Sequence, residues 1–210
     1  MTATTALRSE HDHILAMIAC LRAACAAAEN ADRFDVKTFQ TGVDFIRNYA
    51  DAWHHAKEEE HLFPALEAAG MPRDGGPIAV MLHEHVMGRS YVRKIADHLE
   101  EATNRDTAAR STVLNYTLAY TNLMTGHIQK ENGILFNMAD QVLSPEEHTR
   151  LEQDYKAVIP AGANAETGAH YEAIVATLCL RWNVEPEEAA SVGATFQCGS
   201  YSIGSQLLDT

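Results

Sequence analysis

Two segments of the chain, 73 residues apart, share a pattern that strongly constrains the fold. The first is HHAKEEEHLF at residues 54–63 and the second is HIQKENGILF at residues 127–136. Their alignment places His54 over His127 and Glu58 over Glu131. In each copy a His and a Glu stand four residues apart, which on a helix puts them on one face with Cβ atoms roughly 5–6 Å apart. Two copies can therefore supply two His–Glu pairs to one place.

A single histidine precedes each copy at a similar distance. His11 lies 43 residues before His54, and His85 lies 42 residues before His127. The resulting order, His, His-x3-Glu, His, His-x3-Glu, indicates two helical hairpins in tandem. Packed as an all-α, up-down-up-down four-helix bundle, the hairpins place four imidazoles and two carboxylates at similar depth, which is how bundles commonly build metal sites.

These side chains form the candidate metal site. A single core histidine is more often a hydrogen-bonded structural residue, but so many polar groups buried together without partners would cost much free energy. Imidazole and carboxylate ligands together suit iron, manganese or zinc. Two metal ions that share two bridging carboxylates use the whole set, so the pattern favours a dinuclear centre. The predicted ligands are His11, His54, Glu58, His85, His127 and Glu131.

The neighbouring histidines are assigned by comparing the two copies. His55 and Glu59 are also four residues apart, so the first copy alone is ambiguous. The second copy selects His54, because His127 has no neighbouring histidine. Two roles stay open for His55, an extra ligand or a hydrogen-bond donor behind the ligands. His83 is predicted to point away from the core, since it lies only two residues from a predicted ligand.

Composition excludes several classes of partner. The formal net charge is −13 and the pI is near 5.2, which argues against nucleic acid and against anionic membrane surfaces. The start of the chain lacks a basic segment followed by an apolar one, so no signal peptide is predicted. The most apolar run, residues 16–28, is broken by Arg22 and is shorter than a membrane span. Four cysteines without CxxC pairing indicate reduced thiols. Together these features predict a soluble, cytoplasmic protein.

The periodicity of apolar residues divides the chain into helices. Four bundle helices are predicted over residues 7–28, 35–69, 78–101 and 107–139, with a bend in the second at Pro64. Ser144 and Pro145 are typical of a helix start, and two further helices are predicted to end near residues 158 and 182. We therefore predict a bundle over residues 5–143, C-terminal helices over 144–183 that pack on or beside it, and a tail of unassigned role over 184–210, with a short helix at 185–192.

The spaced motifs resemble a known family. EHDHI near the start, HHAKEEEHLFPAL, the EH of MLHEHVMGR and HIQKENGILF are similar to the bacterial hemerythrin-like (HHE cation-binding) domains over residues 5–140. The resemblance implies an up-down-up-down four-helix bundle that holds two Fe ions as a non-haem di-iron centre with carboxylate and oxo-type bridges. Carried over by position, the four predicted histidines are terminal ligands, and Glu58 and Glu131 are the bridges.

Two departures from the oxygen-carrying hemerythrins bear on function. Those proteins have a fifth histidine one turn after the third-helix histidine, where this chain has Arg89. Their second carboxylate also stands five residues after its histidine, whereas Glu131 stands four after His127. The set looks more like the hemerythrin-like proteins linked to iron–sulfur repair, nitric oxide handling or iron sensing. A ferritin-like di-iron site fits poorly, because it uses Glu-x-x-His pairs and single glutamates on the other helices.

The sequence thus predicts a protein that binds or reacts with O2, NO or peroxide, in sensing or stress defence. Two alternatives use the same centre: an enzyme that turns over peroxide or NO, and a donor of iron for cluster repair. A protein partner or a second copy of the chain is expected to dock, if at all, through the C-terminal region. No nucleic-acid or membrane partner is expected.

Overall fold

The computed structural model describes residues 2–31, 33–158 and 167–185, and its regular elements in these ranges are helices. The second and fourth bundle helices are continuous but include wider π-helical segments. The elements are α1 (Ala3–Ala31), α2 (Val36–Phe45), π1 (Ile46–His55), π2 (Glu58–Leu62), α3 (Phe63–Ala68), α4 (Pro77–Thr103), α5 (Thr107–Lys130), π3 (Glu131–Leu135), α6 (Phe136–Val142), α7 (Pro145–Ala157) and α8 (Thr167–Trp182). The second bundle helix therefore covers residues 36–68, and the fourth covers residues 107–142.

Four of these helices form the predicted bundle. The helix α1 contacts α2 and α5, and α4 contacts α2 and α5, so the four helices close a ring in chain order. Short connections join consecutive helices, which favours antiparallel neighbours. In the loop before α4, Gly70 and Gly76 have φ angles of 97° and 88°, a left-handed conformation that glycine adopts without a steric penalty. The all-α four-helix bundle with additional C-terminal helices is confirmed.

The π-helical segments mark the repeat. The two five-residue segments π2 and π3 begin at Glu58 and Glu131, which are equivalent positions of the two copies. Pro64, where the sequence predicted a bend, lies in the first turn of α3, directly after π2. Segments of this kind occur frequently at functional sites in helices. The second bundle helix therefore departs from regular α-helical geometry mainly in its π-helical turns, which lie at the level of the predicted ligands, rather than at Pro64.

Two apolar clusters fill the bundle core, one on each side of the level at which the predicted ligands lie. On α1, for example, His11 stands between Leu7 of one cluster and Ile14 of the other. Both clusters consist of fully or nearly fully buried side chains, so they shield the polar level from bulk water. The first cluster includes Leu7, Leu62, Phe63, Leu66, Ile78, Met81, Leu135, Phe136, Leu151 and Tyr155. The second includes Ile14, Leu21, Phe39, Phe45, Tyr49, Val92, Ile95, Val113 and Met124.

The C-terminal helices pack on the bundle. The helix α7 begins with the predicted cap, in which Ser144 and Glu147 accept each other's backbone N–H groups, and it buries Leu151 and Tyr155 in the first cluster. The helix α8 lies against α1, where the Sγ atoms of Cys20 and Cys179 are 3.7 Å apart. The division into a bundle and a C-terminal unit stays a prediction. The short helix at 185–192 and the tail lie almost wholly outside the described residues.

Within the residues that the structure describes, one helix is long and apolar enough to cross a membrane, contrary to the expectation from residues 16–28. It is α1, over residues Ala3–Asn30. Core helices of globular bundles often meet the same criteria, and 56% of the relevant stretch is buried in this structure. Helix α1 also carries the buried polar pair Glu10 and His11, which face the other helices. We therefore interpret it as a core helix.

Candidate metal centre

All six predicted ligands converge in the bundle core. Helix α1 contributes one of them, α4 another, and the second and fourth bundle helices contribute a His–Glu pair each. Every one of these side chains is buried, with an exposed fraction of 1% or less. The structure therefore brings together the residues that the repeat predicted, namely His11, His54, Glu58, His85, His127 and Glu131.

The side chains form two groups of four that share one carboxylate. One group is His11, His54, Glu58 and Glu131, and the other is His55, Glu58, His85 and His127. Within each group, one potential ligand atom per residue lies within 4.8 Å of all the others. His55, for which the sequence left two roles open, thus belongs to the cluster. Its ring stacks on that of His85, with centroids 3.8 Å apart and planes 15° from parallel.

Both carboxylates approach histidines of both groups. The two oxygens of Glu58 lie 3.5 Å from Nε2 of His54 and 3.6 Å from Nε2 of His85. One oxygen of Glu131 lies 3.2 Å from Nε2 of His11 and 3.3 Å from Nε2 of His127. A carboxylate between two groups of imidazoles can contact an ion in each. This arrangement suits the bridging role that the resemblance implies for Glu58 and Glu131.

Six of the inward-facing atoms lack hydrogen bonds within the protein, whereas Nε2 of His85 and Nε2 of His127 lie within hydrogen-bond distance of each other, at 3.1 Å. Nε2 of His11, Nε2 of His55 and all four carboxylate oxygens of Glu58 and Glu131 are buried without a hydrogen-bond partner, since their close contacts have poor geometry. Burial of such groups costs free energy unless a partner compensates. Cations between the imidazoles and carboxylates would satisfy all of these atoms at once. The donor set of nitrogen and oxygen therefore fits a centre of two transition-metal ions.

The outward ring nitrogens of the five histidines are all hydrogen-bonded. In each case the partner is a side-chain oxygen on another turn or another helix. The oxygen accepts a hydrogen bond from Nδ1, so the proton of the neutral ring stays on Nδ1 and Nε2, which faces the centre, is free to bind an ion. Such bonds fix both the tautomer and the orientation of a ligand. The pairs are His11 with Asn132 (2.8 Å), His54 with Glu10 (2.8 Å), His55 with Asp51 (3.4 Å), His85 with Glu59 (2.6 Å) and His127 with Glu84 (2.9 Å).

The carboxylates behind the histidines are paired with cations. Lys57 donates to Glu10, and Lys130 donates to Glu84. In both Glu-His dipeptides, at 10–11 and 84–85, the histidine faces the centre while the glutamate reaches the histidine of the next helix. The repeat therefore includes the predicted ligands and also the glutamates and lysines that hold the ligand histidines in place.

Burial sets the protonation of the inward groups. It lowers the pKa of His54 and His55 well below the ordinary value, which favours the neutral, metal-binding imidazole. Burial, with repulsion from Glu131, raises the pKa of Glu58 well above its usual value. Burial acts in the same direction on Glu131, but the surrounding histidines, His127 first, lower its pKa below normal. The two shifts have opposite signs, so in the metal-free protein Glu58 favours the protonated form and Glu131 the ionised form.

Sequence reasoning missed the residues that support the ligands. Glu10 and Glu84 were visible as repeated Glu-His dipeptides, but their contacts run between helices and the spacing did not reveal them. Asp51 and Asn132 carried no signal of their own. His83 is exposed, as predicted.

Comparison with known proteins gives one family match and several relatives. The family described as hemerythrin HHE cation binding domain matches residues 2–139. An uncharacterized protein of Mycobacterium tuberculosis is 24% identical over 179 residues, which cover 79% of this chain and 69% of the relative. The iron-sulfur cluster repair protein YtfE of Edwardsiella ictaluri is 33% identical over 100 residues, 46% of this chain and 44% of the relative. No solved structure matches the chain.

Proposed function

The chain belongs to the hemerythrin HHE cation-binding domain family, and from this premise we propose that it is a non-haem di-iron protein that binds or reacts with O2, NO or peroxide. The observation that carries the proposal is the convergence of buried imidazole and carboxylate groups from four helices. Six of their nitrogen and oxygen atoms, from three of these helices, have no hydrogen-bond partner. When bound, a pair of iron ions supplies a redox-active centre to which small diatomic or peroxidic molecules can bind.

The residues of the site would have different roles towards the ions. Glu58 and Glu131, which approach histidines of both groups, would be the bridges. The imidazoles are the terminal ligands, and their hydrogen-bonded Nδ1 atoms keep them in place. The apolar clusters on both sides exclude bulk water, which strengthens electrostatic interactions inside the core.

His55 is included in the proposal as a fifth imidazole ligand. Its Nε2 is buried without a hydrogen-bond partner and belongs to the same group as His85 and His127. The group of His55, His85 and His127 would then offer three imidazoles to one ion, and His11 and His54 would offer two to the other. The oxygen-carrying hemerythrins also have five histidines, but there the fifth lies on the third helix, where this chain has Arg89. The proposed centre therefore reaches the same number of imidazoles from a different helix.

A role in iron–sulfur cluster repair is the second candidate. It is supported by the similarity to the repair protein YtfE, which extends over 46% of this chain. Transfer of iron to an acceptor would distinguish this function from stable ligand binding. Catalytic turnover of peroxide or NO is the enzymatic alternative, and sustained consumption in the presence of a reductant would identify it.

We propose a cytoplasmic location and a partner surface in the C-terminal region. Free thiols at Cys20, Cys25 and Cys179 are consistent with a reducing compartment. Docking of a protein partner or a second copy through this region stays a proposal that rests on the position of the C-terminal helices outside the bundle core.

The test is anaerobic loading with iron(II), followed by iron analysis and optical spectra before and after exposure to air, NO or peroxide. We expect two irons per chain and new near-ultraviolet bands in air. Stable and reversible spectra would favour binding or sensing, whereas bleaching with sustained consumption would favour catalysis. Absence of iron, or a single zinc ion per chain, would contradict the di-iron proposal.

Matched variants locate the site. Glu131→Ala and His127→Ala should lose iron, because each removes an inward ligand. His83→Ala should bind as much iron as the unaltered protein, since His83 is exposed on α4. Retention of two irons by Glu131→Ala would show that the site lies elsewhere.

A further inference from the structure

Four carboxylates accept hydrogen bonds from Nδ1 of the histidines, but they do not have equal numbers of cationic partners. Glu10, behind His54, and Glu84, behind His127, each have a lysine of their own. The two carboxylates behind the stacked pair of His55 and His85 share a single cation, Arg89.

The geometry of Arg89 allows one guanidinium to serve both carboxylates. Arg89 lies on α4, one turn beyond His85, and reaches across to the second bundle helix. Its Nε donates to Asp51 at 2.8 Å, and its Nη2 lies 2.7 Å from Asp51 and 2.8 Å from Glu59. The guanidinium group is planar and presents its donors in a fixed fork, which a lysine ammonium cannot reproduce. The fork thus ties together the acceptors of two ligands on neighbouring helices.

The same contacts connect Arg89 to the orientation of both rings. Glu59 accepts from Nδ1 of His85 at 2.6 Å, and Asp51 accepts from Nδ1 of His55 at 3.4 Å. If Arg89 did not fix these carboxylates, they could turn towards solvent, because both are partly exposed. The parallel stacking of His55 on His85 therefore depends on an arginine that touches neither ring's inward nitrogen.

A carboxylate behind an imidazole also affects its donor strength. By attracting the Nδ1 proton it makes the ring a more basic ligand, and a guanidinium on the same carboxylate opposes that attraction. The effect is larger on the three-imidazole side, where all three histidines have a carboxylate behind them. On the other side only His54 has one, Glu10, because the partner of His11 is the neutral amide of Asn132.

We propose that Arg89 is a positioning residue that holds His55 and His85 stacked and, by restraining Asp51 and Glu59, sets the reduction potential at the three-imidazole side of the centre. The second part rests on the proposed function, whereas the first part concerns the protein with or without metal. Arg89 thus holds the carboxylates that orient two proposed ligands, and it occupies the sequence position at which the oxygen-carrying hemerythrins have a ligand histidine.

The metal-free protein tests the positioning role. Proton NMR detects imidazole N–H protons that hydrogen bonds protect from exchange. In Arg89→Gln the Nδ1–H signals of His55 and His85 should shift or vanish, while those of His54 and His127, whose carboxylates are held by lysines, should stay in place. Arg93→Gln, a change of an exposed arginine one turn further along α4, is the control. Unchanged signals for His55 and His85 in Arg89→Gln would overturn the proposal.

The iron-loaded protein tests the electrostatic role. Loss of a positive charge stabilises the oxidised centre, so Arg89→Gln should have a lower midpoint potential and shifted optical bands at unchanged iron content. Arg89→Lys keeps the charge without the fork, and it should recover the potential only in part. A potential in Arg89→Gln equal to that of Arg93→Gln would contradict the electrostatic role. Full recovery of the potential in Arg89→Lys would show that the charge alone suffices, and it would contradict the contribution of the guanidinium fork. Failure of the unaltered protein to bind iron would instead refute the proposed function and leave the NMR result standing.

Discussion

Lys57 and Lys130 occupy equivalent positions in the two hairpins, yet only one of them is buried. The side chain of Lys57 is 4% exposed, whereas that of Lys130 is 39% exposed. Each pairs with the glutamate that holds a histidine of its own helix. The same ion pair is therefore shielded from water on one side of the bundle and partly hydrated on the other.

This difference predicts unequal effects of one substitution at two sites. In the metal-free protein Glu10→Gln should reduce the free energy of unfolding by about 3–5 kcal/mol, because it leaves the buried ammonium of Lys57 without its counter-charge. Glu84→Gln should cost less than about 1 kcal/mol, since water can solvate Lys130. Urea denaturation measures both values. Equal losses would show that the lysines differ less in environment than their exposure indicates.

Metal removal should lower stability. An ion that binds only the folded state stabilises it by about 2.7 kcal/mol at a free concentration 100 times the dissociation constant. Thermal unfolding with and without a chelator should therefore give a lower midpoint for the metal-free protein. In Glu131→Ala, which lacks an inward carboxylate, the chelator should have little effect. A chelator-induced shift as large as in the unaltered protein would contradict the assignment of Glu131 as a ligand.

Phe136 supports a ligand by packing. Its ring stacks on His11, with centroids 5.4 Å apart and planes 7° from parallel, and its side chain is fully buried. Phe136→Ala should cost about 3–5 kcal/mol by creation of a cavity and should weaken iron retention, because His11 gains freedom. Phe136→Leu fills most of the space and should cost less. Unfolding curves and iron content report the two effects separately.

Gly168 is predicted to tolerate no side chain. A Cβ atom there would lie 3.0 Å from Cη2 of Trp53, and Trp53 cannot easily yield, since Tyr49 and Lys57 pack against its ring. Gly168→Ala should therefore destabilise the protein and change the fluorescence of Trp53, measured with Trp182 replaced by phenylalanine. Gly126 provides the contrast, because a Cβ atom there meets nothing within 4 Å. Gly126→Ala should stabilise helix α5 by up to about 1 kcal/mol.

Much of the fold and of the ligand set follows from helical periodicity. His54 and Glu58, like His127 and Glu131, share a face by spacing alone, and the constant offset to His11 and His85 sets their common depth. The family relationship is confirmed by the match over residues 2–139. Assignment of individual ligands by alignment of the copies stays a prediction until metal analysis tests it.

The sequence could not decide between the two roles of His55, because its position depends on a departure from regular helix geometry. Adjacent residues on an α-helix point about 100° apart, so regular geometry favoured His54 and left His55 open as an extra ligand or a hydrogen-bond donor behind the ligands. Both end the segment π1, whose wider turns alter the angular register, and both are buried. The hydrogen-bond partners of the histidine Nδ1 atoms could not be predicted for another reason. Most of them lie on other helices, far away in the sequence, and no local pattern indicates such contacts.

The equivalence of Glu10 and Glu84 has an evolutionary consequence. Each hairpin contributes a Glu-His dipeptide, a His–Glu pair and a lysine, and so contains a complete half of the centre. Two identical hairpins related by a two-fold axis would present the same donors to one another. The arrangement is what duplication and fusion of a gene for a single hairpin, once active as a homodimer, would leave behind, and His55, which has Ile128 as its counterpart, marks where the halves have since diverged.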